Sequence, residues 1–325
     1  MRIVMVRVMF MFLLVCVGGA HAEIAGVSGP ASTAGSMAAV ITAPSDVLNS
    51  CVSGSGQLGF NEALAVVTPV AFYADDAVVV PAGTLVDSHM IFLNGADGAT
   101  SITHSDVVWS FKQPIIAVMS DPNGNLEADS TTVFGASGTN YTVSPSPNNA
   151  QCTGAAPFAA RGLETTKATH PYTHTPCGYG NDCYTVDGST IKVTMAVAQP
   201  GDWMRVLTRG AYRVGIDIKP GSDPNCVNIN GHGVIPVAVL GSSAFDVSQV
   251  DVSTLNFAGL KVRVKGNGSR QCSIADTNND GFDDLVCQFQ DDTAAWKPGT
   301  TTAEATGSLI DGKLFEGSDS ICIVP

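Results

Sequence analysis

Long hydrophobic runs, basic side chains and tryptophan are all scarce in this 325-residue chain. Beyond its first two dozen residues no apolar run approaches the twenty or so that a membrane-crossing helix needs, so no membrane insertion is expected after that point. Lys and Arg number 16 against 29 Asp and Glu, a net charge of −13. Nucleic acid and anionic lipid are bound through basic side chains, so neither is expected as a partner. Three tryptophans, Trp109, Trp203 and Trp296, are too few for a broad surface on which sugar rings stack. Neither a Gly-x-Ser-x-Gly elbow nor a His-Glu-x-x-His pair occurs. No long stretch has helical periodicity, which argues against a parallel sheet with crossover helices.

The one long apolar stretch runs from Val8 to Val17, after Arg2 and Arg7 and before Ala20-His21-Ala22. Charge, then apolar core, then small residues is the order of a secretory signal peptide, with cleavage expected after Ala22. Of nine cysteines, Cys16 lies in this leader. The even number left, in an exported chain, reads as disulfides. Cys177 and Cys183 enclose a five-residue loop, and Cys272 and Cys287 flank Asp280 almost symmetrically, as cross-strand partners in a hairpin do. Elimination and domain membership then pair Cys51 with Cys152 and Cys226 with Cys322.

Composition divides the rest. Residues 23–43 are mostly Ala, Ser and Gly, and read as a flexible leader. Over 44–210, short β-branched runs such as His89 to Leu93, Val107 to Phe111, Ile115 to Met119 and Ile191 to Ala196 alternate with Gly, Pro, Asn and Asp clusters. Frequent short strands with turn signals predict a β-sandwich or jelly roll. Residues 211–325 repeat the pattern with Val234 to Leu240, Leu255 to Phe257, Leu260 to Val264 and Leu285 to Phe289. Asp311-Gly312 supplies a hairpin turn between Leu309-Ile310 and Leu314-Phe315. The fold class expected is all-β, two sandwich-like domains after a cleaved signal peptide.

The second unit carries several separate blocks in order: Ile216-Asp217-Ile218-Lys219-Pro220-Gly221-Ser222-Asp223-Pro224-Asn225, then Gly233 to Gly241, Phe245 to Asp251, and Glu316-Gly317-Ser318-Asp319-Ser320. From about Val214 onward the chain thereby resembles a module common at the C-terminus of exported bacterial proteins. The resemblance implies an extracellular β-module without catalytic activity. Val86 to Phe92 and Gly201 to Val206 are loosely similar to β-sandwich regions of bacterial surface proteins of the PEP-CTERM type, whose sorting signal does not occur in this sequence.

One motif has definite chemistry. Asp276, Asn278, Asp280 and Asp284 stand at positions one, three, five and nine of a loop in which Gly281 holds position six and Phe282 position seven. Calcium takes six to eight oxygens, and this spacing lets a short loop fold around it, with Phe282 giving its backbone carbonyl. Asp, Asn and Gly also favour plain turns. Four carboxylates within nine residues repel one another without a cation, however, so calcium is the expected cofactor. Position twelve is Cys287 rather than the bidentate Glu of an EF-hand, and the flanks read as strands. The loop therefore resembles the calcium hairpins of FG-GAP repeats, and the ion is expected to be structural.

Other constellations read as decoys. Asp121, Asn123, Asn125 and Asp129 lack the glycine at position six. Gly54 to Gly59 has dinucleotide-type glycine spacing but no preceding strand. His170 and His174 near Cys177 and Cys183 offer zinc ligand types, yet an oxidising compartment favours the disulfide. His89 near Asp87, His104 near Asp106, and His232 read as strand or turn residues. The function expected is a secreted, non-catalytic extracellular binding or structural protein; the sequence does not identify its ligand, for which a glycan and a surface protein are the candidate classes. The alternative is a secreted polymer-degrading hydrolase with a carboxylate pair in the first domain.

Overall fold

The structure, a computed structural model, describes residues 23–95, 101–154, 162–163, 174, 177, 182–197, 201–228 and 233–324. The signal segment, His170 and His232 lie outside them.

The described chain is all-β and sandwich-like. An antiparallel four-stranded sheet places Ile24–Ser28, Ile102–Phe111, Thr190–Val197 and Cys183–Asp187 side by side. A larger sheet runs Ala39–Val40, Leu58–Asn61, Leu85–Leu93, Asp202–Arg209 and Ile115–Met119, with Val66–Val67 also on Leu85–Leu93. Alternation buries Trp109, Ile191, Val193 and Met195 of the first sheet against Ile91, Leu93, Met204 and Val206 of the second. The Trp109 indole N–H donates to the side-chain carbonyl of Gln57 at 3.0 Å, so this large side chain is buried without an orphaned donor. Gly59 makes the room, since a Cβ there would lie 2.6 Å from the indole ring.

Every residue of Leu85–Leu93 is buried, because the second face of its sheet is also covered. Part of that cover is a helix, Asn125–Phe134, which the sequence reading did not anticipate. Its Phe134 and Leu126 join Val86, Met119 and Leu207. Asp121 receives the N–H groups of Leu126 at 2.8 Å and Asn125 at 3.2 Å, so it caps the helix. The segment expected to be a flexible leader is also built into the fold: Ile24–Ser28 pairs with Ile102–Phe111, and Ala39–Val40 pairs with Leu58–Asn61.

Beyond Gly210 the strands form separate sheets. One orders Ala211–Arg213, Leu314–Ser320, Thr302–Ser308, Asn256–Phe257 and Leu260–Lys261; the other orders Ile216–Ile218, Val234–Val239, Asp284–Gln290 and Cys272–Ala275. Phe257 and Phe315 from the first pack with Ile218, Val237 and Phe289 from the second. The hairpin expected around Asp311-Gly312 is present, with Gly312 at φ 83°, but its strands end at Ser308 and resume at Leu314, so Leu309 and Ile310 belong to the connection rather than to a strand. All four disulfides follow the expected pairing: Cys51–Cys152, Cys177–Cys183, Cys226–Cys322 and Cys272–Cys287. Bridges in this number belong to an oxidising compartment.

Charged residues join the two sets of sheets. Arg213 lies 2.6 Å from Glu23, 3.3 Å from Asp87 and in contact with Glu316, while Lys112 reaches Glu316 at 3.3 Å and Glu304 at 3.1 Å. Burial pushes Glu23 up to about 7 and Asp87 up to about 6, although Arg213 pulls both down. Burial likewise raises Asp75 to about 7. A carboxyl raised in the fold binds its proton more tightly there than in the unfolded chain. Its contribution is therefore complete below about pH 4 and is lost as pH rises through 6 to 7. Burial lowers His89 to about 3, which works in the opposite sense once pH falls below about 6.5. Unfolding free energy is therefore expected to rise as pH falls from 8 to 6.5. Urea denaturation across that window measures it, and a flat or falling profile contradicts the assignment.

Candidate functional site

The hairpin Cys272–Ala275 and Asp284–Gln290 places Cys272 opposite Cys287 and Ala275 opposite Asp284. Residues 276–283 thus close the hairpin above a disulfide that fixes its two strands. Two residues in the loop have left-handed backbone, Asn279 at φ 60° and Gly281 at φ 90°. A side chain at Gly281 would meet no neighbour within 4 Å, so it is the backbone angle rather than space that calls for glycine. Asn is among the residues that tolerate this region.

Within the loop the side-chain oxygens are turned inward by backbone N–H groups. The two oxygens of Asp276 accept from the N–H groups of Asp280 at 3.2 Å and Gly281 at 3.1 Å. Asn278 Oδ1 accepts from Asp280 N–H at 3.0 Å. Asp280 accepts from Phe282 N–H at 2.9 Å and from the Asn278 amide at 2.9 Å. Each of these oxygens takes one hydrogen bond and keeps a second lone pair. Asp276, Asp280 and Phe282 are exposed. The loop therefore has ligands for a hard cation that need not break its own bonds.

Asp284 differs from the others. It is fully buried, and its Oδ2 accepts from both Thr277 N–H at 2.8 Å and Thr277 Oγ1 at 2.6 Å. Its Oδ1 accepts from Gly241 N–H at 2.9 Å. Asp284 thus ties the loop to the end of Val234–Val239, and only Oδ1 has a lone pair left. Asp276, Asp280 and Asp284 do not present oxygens that all lie within 4.8 Å of one another. Behind Asp284 the field is acidic: Asp217 has its carboxyl pushed up by burial, then by Asp319 and Asp284.

Elsewhere, the candidates resolve into structural roles. His89 is fully buried between Asn61 at 2.9 Å and Thr208 at 3.1 Å. His104 Nδ1 accepts from Gln57 N–H at 2.8 Å, and Nε2 faces the Pro30 carbonyl at 2.9 Å. Cys177 and Cys183 spend their sulfurs on each other, and His174 pairs instead with Asp76 at 2.5 Å. Asn125 and Asp129 lie in the helix that Asp121 caps. Gly54 to Gly59 leads into the strand Leu58–Asn61 rather than a helix. Among the described residues, one acidic and thiol group is drawn together, Asp46 with Cys51 and Cys152, but its two sulfurs form a disulfide. Sequence reasoning missed a cluster around Asp75, Asp76, His174 and Tyr184, which no motif spacing marks because its members come from distant turns and strands.

Asp284→Ala is expected to destabilise the protein by about 1–3 kcal/mol, with or without calcium, because it strands buried donors of Thr277 and Gly241. Asp280→Ala, at an exposed position, is expected to change calcium-free stability by under about 0.5 kcal/mol. Chemical denaturation in chelator compares the two. Equal effects would contradict the bracing role.

No family model, no curated protein and no solved structure matches this chain.

Proposed function

We propose that the protein is a secreted, non-catalytic extracellular binding or structural protein, and that its second unit carries a structural calcium ion in the loop 276–284. The observation that carries the calcium reading is the inward turn of Asp276, Asn278 and Asp280, each with acceptor capacity left over. These three and the Phe282 carbonyl contact the ion directly. Asp284, bound to Thr277 and Gly241, acts through water, as position nine often does. Strands rather than helices flank the loop, so there is no helix pair for calcium to open, and the ion stiffens a hairpin instead of triggering a switch.

Export is supported by the four disulfides and by the order of charge, apolar core and small residues over Met1 to Ala22. The blocks from Ile216 to Ser320 support an accessory module of the kind found in exported bacterial proteins. A binding role is favoured over hydrolysis by what surrounds the acids. Asp75 takes hydrogen bonds from Ser120 and Tyr184, and Asp76 pairs with His174, so these consecutive acids are held by neighbouring side chains and do not flank a bond from two sides as a glycosidase pair does.

Extracellular modules often bind calcium with dissociation constants of about 0.1–1 mM. At about 1 mM calcium this stabilises the fold by about 0.4–1.4 kcal/mol. Calorimetric titration of the full mature chain is expected to show one site, and Asp280→Ala is expected to remove it. Undiminished binding by the variant would place the ion elsewhere. Silence of the wild type up to about 10 mM, well above the usual range, would return the loop to a plain turn.

A further inference from the structure

A cleft of about 370 Å³ opens beside the sheet edge formed by Cys183–Asp187, far in the chain from the calcium loop. That volume falls at the small end of ligand pockets, which run from about 300 to 1,000 Å³. Its walls are aliphatic, with Ile115, Val118 and Val186 among them. Its polar end holds two consecutive carboxylates, Asp75 and Asp76, with His174 and Tyr184.

Consecutive residues of an extended chain point to opposite sides. Here both acids line one cleft because the backbone at Asp76 and Ala77 is left-handed, with φ of 56° and 59°. Such a conformation is unfavourable for residues other than glycine and persists only where surrounding contacts hold it. The contacts are specific. Asp75 Oδ2 accepts from Ser120 Oγ at 2.7 Å and Tyr184 Oη at 2.9 Å, and Oδ1 accepts from Ser120 N–H at 3.3 Å. Asp76 accepts from His174 N–H at 3.0 Å and meets His174 Nδ1 at 2.5 Å. Asp75 Oδ1 and both oxygens of Asp76 retain a lone pair after these bonds.

From this arrangement we infer that the cleft binds a small organic ammonium ion, its charged nitrogen against Asp75 and Asp76 and its apolar body along Ile115, Val118 and Val186. Among the described residues two carboxylates face one imidazole, which leaves room for a positive charge and repels an anionic ligand. A sugar fits less well, since among the described residues of the cleft the Tyr184 ring is already stacked on His174 at 4.1 Å, and β-branched walls offer no sugar-stacking face. The inference deepens the binding role proposed above and does not depend on calcium.

A pH signature goes with it. Burial raises Asp75, Ser120 and Tyr184 hold it down, and its neighbour Asp76 raises it further. On the helix side Glu127 feels Asp121, Asp75 and Arg205, and His174 pairs with Asp76. With Asp75 at about 7, a bound ammonium displaces its proton. Binding therefore tightens as pH rises through 7.

Calorimetry on the full mature chain tests this with hexylamine, hexanol and hexanoate at pH 6 and pH 8, each with and without calcium. Hexylamine is expected to bind at least tenfold more tightly than hexanol, with no heat from hexanoate. Its affinity should rise severalfold from pH 6 to pH 8, with proton release seen as a buffer-dependent enthalpy. Asp75→Asn should abolish the pH dependence. Val186→Trp, at an exposed edge position, should fill the cleft and abolish binding while leaving the melting temperature in place. Equal affinity for hexanol and hexylamine, no hexylamine binding, or unaltered binding by Val186→Trp would overturn the inference. Because the calcium site is read from its own titration, failure here leaves that result standing, and the converse also holds.

Discussion

A guanidinium group without access to solvent holds the first unit together. Arg205, on the interior strand Asp202–Arg209, donates to Glu62 through Nε at 2.7 Å and Nη2 at 2.9 Å. It also donates to the Glu127 carbonyl, Ser130 Oγ and Thr131 Oγ1, all on the helix Asn125–Phe134. Tyr141 completes the arrangement by donating to Glu62 at 2.8 Å. Burying a charge pair is unfavourable unless every donor and acceptor is met, and here one side chain gathers a strand, a helix and a loop to meet them. Removing either partner leaves an uncompensated buried charge, which makes this contact more demanding than any single apolar pair in the sandwich.

The same contact explains why the helix could not be read from the chain. Its inward face carries Glu127 and Ser130 beside Leu126 and Phe134, so it lacks the apolar stripe by which an amphipathic helix is recognised. Its docking is polar and its partners are distant in sequence. The strands were legible for the opposite reason. Trp109, Ile191, Met204 and Val206 pack by alternation, and alternation is local. The Cys272–Cys287 disulfide was legible because the two residues flank a hairpin turn and stand opposite each other in its ladder, whereas Cys226–Cys322, read by elimination, lies in a parallel pair of strands distant in sequence.

The leader shows how composition can mislead. Residues 24–28 are Ile, Ala, Gly, Val and Ser, yet Ile24 is buried and the strand completes the four-stranded sheet. What orders this segment lies elsewhere: Glu23 against Arg213, and the Glu23 carbonyl receiving Lys112 N–H at 3.0 Å. At the candidate site the spacing of Asp276, Asn278 and Asp280 was readable, because ligands on one short loop are set by local geometry. The bracing by Asp284 was not, since Gly241 lies forty-three residues away. The acidic cleft was equally hidden, for Asp75, His174 and Tyr184 meet only through tertiary structure.

The role proposed for the second unit depends on one calcium ion in the loop 276–284. A crystal structure of the mature chain grown with about 5 mM calcium, above the usual dissociation range for such modules, tests this most directly. The account predicts an ion bound to side-chain oxygens of Asp276, Asn278 and Asp280 and to the Phe282 carbonyl, at the 2.3–2.6 Å usual for calcium, with Asp284 still bonded to Thr277 and Gly241. An unaltered loop holding only water, or an ion coordinated at other residues, would contradict it.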